Sequence, residues 1–269
     1  NLSHKQCAEA NLFLNNQSDF YYKKIISNHF NKIYFRDNFK SLTGFNDLNH
    51  LFIIGLPRSG STLVETIITH NSNEIVSVGE FHAINTSILY QIGKTIFSKD
   101  FDSSNYKFEI NKKIFQQDLI EKYGNFEKKI FLDKSLENFF NIEIILKFFP
   151  NSKFIHTYRD FKDVTIGIYQ KMLPELSWVH NIKDIINYMS LYNKTIKYFK
   201  KKYPKKIIDV NLSQLTNNKE FEVKKILNFC EIEFKDNYLD FDRNEKLFNK
   251  TNSFLQVRNK IKNYEDKKY

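Results

Sequence analysis

Apolar residues first gather into an unbroken run at Leu51-Phe52-Ile53-Ile54, and the run stops at Gly55. A run that short, partly β-branched and closed by a turn residue predicts a strand buried on both faces. From Ser61 the apolar positions Leu63, Ile67 and Ile68 return at helical spacing, so a helix is expected directly after the turn. The alternation then repeats. Further short strands are predicted at Ile130–Leu132, Lys153–Thr157 and Lys206–Val210, and helices at Leu136–Phe149, Lys162–Leu173, Ile182–Lys202 and Lys219–Cys230. Strand and helix in turn predict an α/β fold of three layers, a central parallel sheet flanked by helices. Ahead of the first strand, residues 1–40 are polar and aromatic without lasting alternation, and one or two helices are expected there. The expected division is a helical segment over 1–48, read as the end of an upstream helical region, and a main domain over 49–269.

Composition narrows this only a little. The chain has 269 residues, 41% of them hydrophobic, with seven glycines and four prolines, which fits a packed domain and excludes a linker or disordered tail. A net charge of +10 suits an anionic ligand, but the lysines are spread over the whole length as on solvated helix faces, so nucleic acid is not an expected partner. Two cysteines, Cys7 and Cys230, make neither a disulfide framework nor a zinc spacing, and a reducing, cytoplasmic setting is expected. No stretch approaches the roughly 18 apolar residues that a membrane helix requires.

The first candidate chemistry lies in the turn itself, Gly55-Leu56-Pro57-Arg58-Ser59-Gly60-Ser61-Thr62. Backbone N–H groups at a helix start attract anions, two glycines let the chain wrap closely, and Ser59, Ser61 and Thr62 add hydroxyls. The glycine spacing matches the nucleoside-triphosphatase loop, but Ser61 stands where its lysine would be, which disfavours ATP or GTP hydrolysis and a P-loop kinase. A plain helix cap would need neither the arginine nor both glycines. A second candidate is Arg159, at the end of the strand Lys153–Thr157. There it either meets a phosphate, for which guanidinium offers bidentate contact, or pairs with Asp160 or Asp163. Only five arginines, at 36, 58, 159, 243 and 258, stand against 36 lysines, so arginine is scarce wherever lysine would serve.

The string Gly55 to Leu63 resembles the 5′-phosphosulfate loop of sulfotransferases, most closely the tyrosylprotein sulfotransferases and the bacterial sulfotransferases with tetratricopeptide repeats. The resemblance spans roughly Leu51 to Tyr264. It implies a P-loop-like fold and, as co-substrate, 3′-phosphoadenosine 5′-phosphosulfate (PAPS), whose sulfuryl group passes to an acceptor hydroxyl on protein tyrosine, a carbohydrate or a small molecule, with no metal required. Carried onto this chain, it gives Pro57, Arg58, Ser59, Gly60, Ser61 and Thr62 as the 5′ site and Arg159 as the 3′-phosphate ligand. The family's usual serine eight residues after that arginine is Gly167 here, and Phe161 stands where proline is common. Thr251 to Arg258 resembles the loop that closes over the nucleotide, with Gln256, Val257 and Arg258 as its contacts.

For the transfer itself, Glu80 in Ser77-Val-Gly79-Glu80-Phe81 is either a helix-start acid favoured by the dipole or, by resemblance, the base that takes the acceptor's proton, with Gly79 permitting the turn that aims it. His82 is the alternative base. His156 is expected in or near the core and His70 at the end of the first helix. Lys134, in Asp133-Lys134-Ser135, reads locally as a turn pair with Asp133. By resemblance it stabilises the bridging oxygen of the donor, with Ser135 helping to hold it. A nucleotide-binding module of the same fold without turnover is the competing reading from another class.

Overall fold

The computed structural model describes residues 2–10, 34–35, 50–69, 72, 74–88, 109–110, 118, 121, 130–174 and 176–243. Its centre is a parallel sheet of β1 (Leu51–Gly55), β2 (Ile75–Gly79), β3 (Ile130–Asp133), β4 (Lys153–Tyr158) and β5 (Ile207–Asn211), in the order β2-β3-β1-β4-β5. The α/β architecture is thus as the sequence pattern implies. The helices are α1 (Leu2–Ala10), α2 (Ser61–Thr69), α3 (Ile142–Phe148), α4 (Phe161–Lys171), α5 (Ile182–Lys202), α6 (Leu212–Asn217) and α7 (Lys219–Phe229).

Side chains alternate between the faces of a strand, and here that alternation divides the core in two. Phe52, Ile54, Phe131 and Phe154 point into one cluster, closed by Val164 and Ile168 of α4 and by Ile185, Tyr192, Ile196 and Phe199 of α5. Leu51, Ile53, Leu132 and Ile155 point into the other, closed by Leu63, Val64, Ile67 and Ile68 of α2 and by Val223, Ile226 and Leu227 of α7. β1 is buried at every position because it has a helical layer above and below. Each large side chain buried in this way contributes about 2–3 kcal/mol, which fixes the strand order and with it the edge where the loops emerge.

Two details depart from the sequence pattern. The expected helix Leu136–Phe149 is interrupted: a 3₁₀ turn, Leu136–Phe140, stops at Asn141, whose φ of −104° and ψ of 7° are not helical, before α3 resumes. The Asn141 backbone N–H closes the 3₁₀ turn onto the Asn138 carbonyl, and its side-chain amide donates to Asn85 Oδ1. β2 is an additional strand, half-exposed after Ile75 because it lies at the sheet edge. Among the described residues no helix is long and apolar enough to cross a membrane.

Candidate active site

Between β1 and α2 the chain makes a tight reversal with three left-handed residues in six. Gly55 has φ 152°, Arg58 φ 69° and Gly60 φ 94°. The first glycine is required by a neighbour: a Cβ there would lie 2.4 Å from the Thr157 carbonyl oxygen of β4. At Gly60 a Cβ would lie 2.7 Å from Leu212 Cδ1, the end of a side chain that can shift, so there the positive φ is the firmer requirement. Arg58 holds a conformation costly for a residue with a Cβ, the kind of strain that accumulates where a loop is shaped for a ligand. Ser59 turns its hydroxyl inward, donating to the Leu56 carbonyl at 2.6 Å and sharing a hydrogen bond with Thr157 Oγ1 at 2.8 Å. Its side chain therefore braces the loop against β4, leaving Ser61 and Thr62 as the other hydroxyl-bearing residues expected there.

The second candidate lies on the adjoining strand. β1 and β4 pair with Gly55 opposite Thr157, so the turn over 55–62 and Arg159 leave the sheet side by side at the same edge. Asp160 caps α4, its carboxylate accepting from the Lys162 and Asp163 N–H groups, which sets the helix start immediately beside Arg159. Arg159 donates through Nε and Nη2 to Asp163 Oδ2, at 3.0 and 2.7 Å, one of the two local pairings the sequence left open. Gly167, two turns into α4, faces Arg58: a Cβ there would stand 3.4 Å from Arg58 Cβ and 3.5 Å from Cγ. The two arginines thus belong to one neighbourhood, connected through the start of α4.

The third part sits across β1 on β3 and β2. A register shift between Ser77 and Gly79 pairs Gly79 with Asp133, and Gly79 then turns with φ 64°. Such bulges re-aim the residue that follows. Glu80 consequently meets Lys134, with Oε1 2.5 Å from Nζ. The Lys134 side chain is completely buried, whereas Glu80 is 47% exposed, so the acid is the member of the pair that solvent or an acceptor can reach. Ser135 Oγ accepts from the His82 N–H at 2.8 Å and ties the ends of β3 and β2 together; the His82 side chain is exposed. The Ser135 N–H donates to Asp133 Oδ1 at 2.7 Å.

Behind this pair lies a residue that the sequence pattern did not single out. Glu65 of α2 is 1% exposed, with Oε2 3.7 Å from Lys134 Nζ, and its Oε1 accepts from the Ser77 hydroxyl. Burial pushes its carboxyl above the ordinary value; the Lys134 charge and the Ser77 hydrogen bond pull it back, and Glu80 adds a smaller push. The available signal was a lone acid inside the apolar stretch of α2. His156 lies in the core as expected, between Asp209 Oδ1 at 2.7 Å and the Tyr192 hydroxyl. His70, Gln256, Val257 and Arg258 fall outside the described residues.

A parallel five-stranded sheet between helical layers, with a glycine-bounded turn leading from its central strand into a helix, defines a P-loop-like α/β protein. Within that class the chain belongs to the sulfotransferase family, whose sequence profile matches residues 50–236. It is 24% identical over 232 residues to a putative protein-tyrosine sulfotransferase of Caenorhabditis briggsae, covering 82% of this chain and 79% of that protein. It is 27% identical over 224 residues to an uncharacterized protein of Aquifex aeolicus, covering 78% of this chain but only 29% of the longer relative. Among solved structures, the sulfotransferase domain of the Synechococcus PCC 7002 olefin synthase superposes with a TM-score of 0.57 at 16% identity, covering 82% of this chain and 86% of that one. The sulfotransferase domain of the curacin biosynthetic pathway gives 0.53 at 18% identity, covering 74% and 80%.

Proposed function

We propose that this chain transfers the sulfuryl group of PAPS to an acceptor hydroxyl, with protein tyrosine the favoured acceptor and a carbohydrate or small molecule the alternative. In this reading the amides of residues 57–62, with Arg58, hold the 5′-phosphosulfate, and Arg159 exchanges Asp163 for the 3′-phosphate. Glu80 takes the acceptor's proton as the acceptor oxygen bonds to sulfur. The bond from sulfur to the bridging oxygen breaks, and Lys134 stabilises the charge left on that oxygen, now part of adenosine 3′,5′-bisphosphate (PAP). No metal is needed to balance these steps.

The observation that carries the reading is the 2.5 Å contact between a half-exposed carboxylate, Glu80, and a fully buried ammonium, Lys134, beside a phosphate-type turn. In an in-line transfer the base serves the acceptor side of the sulfur and the leaving-group stabiliser the donor side, so a carboxylate and an ammonium that meet beside the turn can flank one sulfuryl group between them. The competing reading is a nucleotide-binding module without turnover; Gly167, which removes a hydroxyl from the expected 3′ site, favours it.

Titration with PAP followed by transfer from sulfur-labelled PAPS separates the two. One-to-one binding with label appearing on a tyrosine-bearing acidic peptide or on a carbohydrate panel supports the transferase. Binding with no label transfer and no PAPS turnover supports the module, and absence of PAP binding removes both.

A further inference from the structure

We infer that Glu65 is the fixed counter-ion of Lys134: a positioning residue that balances the buried ammonium and holds it at the sheet edge when Glu80 turns to the acceptor. The inference rests on the reading of Lys134 given above. It starts from a problem of charge. Lys134 is completely buried, and an ammonium removed from water must keep a carboxylate within reach. Glu80 supplies one, but Glu80 is also the proposed base. Once it accepts the acceptor's proton it is neutral and facing outward, and it no longer compensates Lys134 at the moment the leaving oxygen requires that charge.

Glu65 is arranged to fill that gap. It lies on α2, the helix that begins at the phosphate turn, so it is fixed relative to the bound anion. It is 1% exposed, and its backbone is held within a helix whose every residue up to Ile68 is buried. One of its oxygens is taken by Ser77, whose own oxygen accepts from the Gly79 N–H at 3.1 Å, so the hydroxyl proton is directed at Glu65. Its other oxygen, Oε2, accepts no hydrogen bond among the described residues and faces Lys134 Nζ at 3.7 Å. Two carboxylates therefore share one lysine, the outer one half-exposed at 2.5 Å, the inner one buried and tied to the Ser77 hydroxyl of β2. At 3.7 Å Glu65 attracts Lys134 without a short hydrogen bond that would compete with the donor's bridging oxygen.

The test is the turnover of PAPS, read as PAP release to water and to a tyrosine-bearing acidic peptide, alongside PAP affinity by calorimetry. Glu65→Gln keeps the shape and the Ser77 contact, and kcat is expected to fall roughly tenfold, as for loss of one electrostatic support in a transition state. Because a negative charge is removed from an anion site, PAP binding stays level or tightens; a variant damaged in its fold would bind PAP more weakly. Ser77→Ala, a milder change, is expected to lower kcat about threefold with the same unweakened PAP binding. In a Lys134→Met background, itself much impaired, Glu65→Gln is expected to cost nothing further, since residues acting as one unit are not additive. Wild-type kcat in Glu65→Gln and Ser77→Ala, or a full additional tenfold loss on top of Lys134→Met, overturns the role of Glu65 and leaves that of Lys134 standing. Wild-type turnover in Lys134→Met, or no PAP release by the wild type, removes the reading beneath it and the inference together.

Discussion

Replacing Gly167 with serine is expected to tighten the hold on PAP and to leave the fold intact. The residue is half-buried within α4, and a Cβ there would lie 3.4 Å from Arg58 Cβ, 3.5 Å from Cγ and 3.8 Å from Nε, which is contact without overlap. In a helix interior serine is favoured over glycine by about 0.5 kcal/mol, worth roughly 1–2 °C in melting temperature for a chain of this size. The larger effect belongs to the ligand. A hydroxyl that reaches a phosphate oxygen contributes about 1.5 kcal/mol or more, equivalent to roughly tenfold in affinity. Calorimetric titration with PAP at fixed salt, paired with thermal melts with and without ligand, separates the two contributions. A slightly raised melting temperature with unchanged affinity would show that position 167 does not face the 3′-phosphate. Weakened binding in a folded variant would show that the added side chain displaces Arg58, and either result refutes the expectation that a hydroxyl at position 167 serves the second anion site.

Further expectations concern the turn, the base and the core. Gly55→Ala forces a left-handed residue to carry a Cβ 2.4 Å from the Thr157 carbonyl, so it should destabilise the fold by at least about 2 kcal/mol in denaturant melts and abolish PAP binding; a stable variant that binds PAP would sink the description of the turn. Glu80→Ala should bind PAP as well as the wild type and lose turnover by about 10²–10⁴-fold, whereas His82→Ala should lose little; the reverse result would transfer the base role to His82. His50 is buried between Phe131 and Phe149, and burial lowers its pKa from 6.5 to about 3. Since the unfolded chain takes up this proton first, stability falls as pH drops from about 6.5 towards 3. His50→Phe should therefore lose about 2 kcal/mol less than the wild type between pH 6 and pH 4 in urea melts, and parallel curves would contradict the assignment.

The parts of the site legible in the sequence are those whose signals are local. The turn from Gly55 to Thr62 declares itself through two glycines between an apolar run and a helical period, and Arg159 through its place at a strand end. Glu80 and Lys134 each had an ordinary local reading, as a helix-start acid and as a turn pair, and only their meeting at 2.5 Å, 54 positions apart, distinguishes them. Glu65 was hidden for a related reason. A helical period marks which face is buried, but it says nothing about an acid within that face whose partner lies on another strand. β2 was equally unreadable as a strand, because its five residues alternate too briefly and, at the sheet edge, all but Ile75 are only partly buried. The break at Asn141 coincides with a side-chain amide that bonds to Asn85 across the fold, and periodicity does not register such a partner.

The order of strands turns these separate residues into a line. Reading across the sheet as β2, β3, β1 and β4 gives Glu80, Lys134, the turn over 55–62 and Arg159, each at the carboxyl end of its strand. With neighbouring strands about 4.8 Å apart, three steps cover about 14 Å, a span suited to a nucleotide with a phosphate at each end of its sugar and a reactive group beyond one of them. The bulge in β2 decides whether the line is complete. Were pairing to continue in register from Ser77 opposite Leu132, Val78 would face Asp133 and Gly79 would face Lys134, leaving Glu80 one residue further along and on the opposite side of the pleat. One extra residue accommodated at Val78 restores Gly79 to Asp133, and the Glu80 side chain then meets Lys134. The contact on which the proposed chemistry depends is therefore a consequence of register at an exposed sheet edge, held by the Lys134 N–H donating to the Gly79 carbonyl at 2.9 Å and by the Ser77 hydroxyl between Gly79 and Glu65.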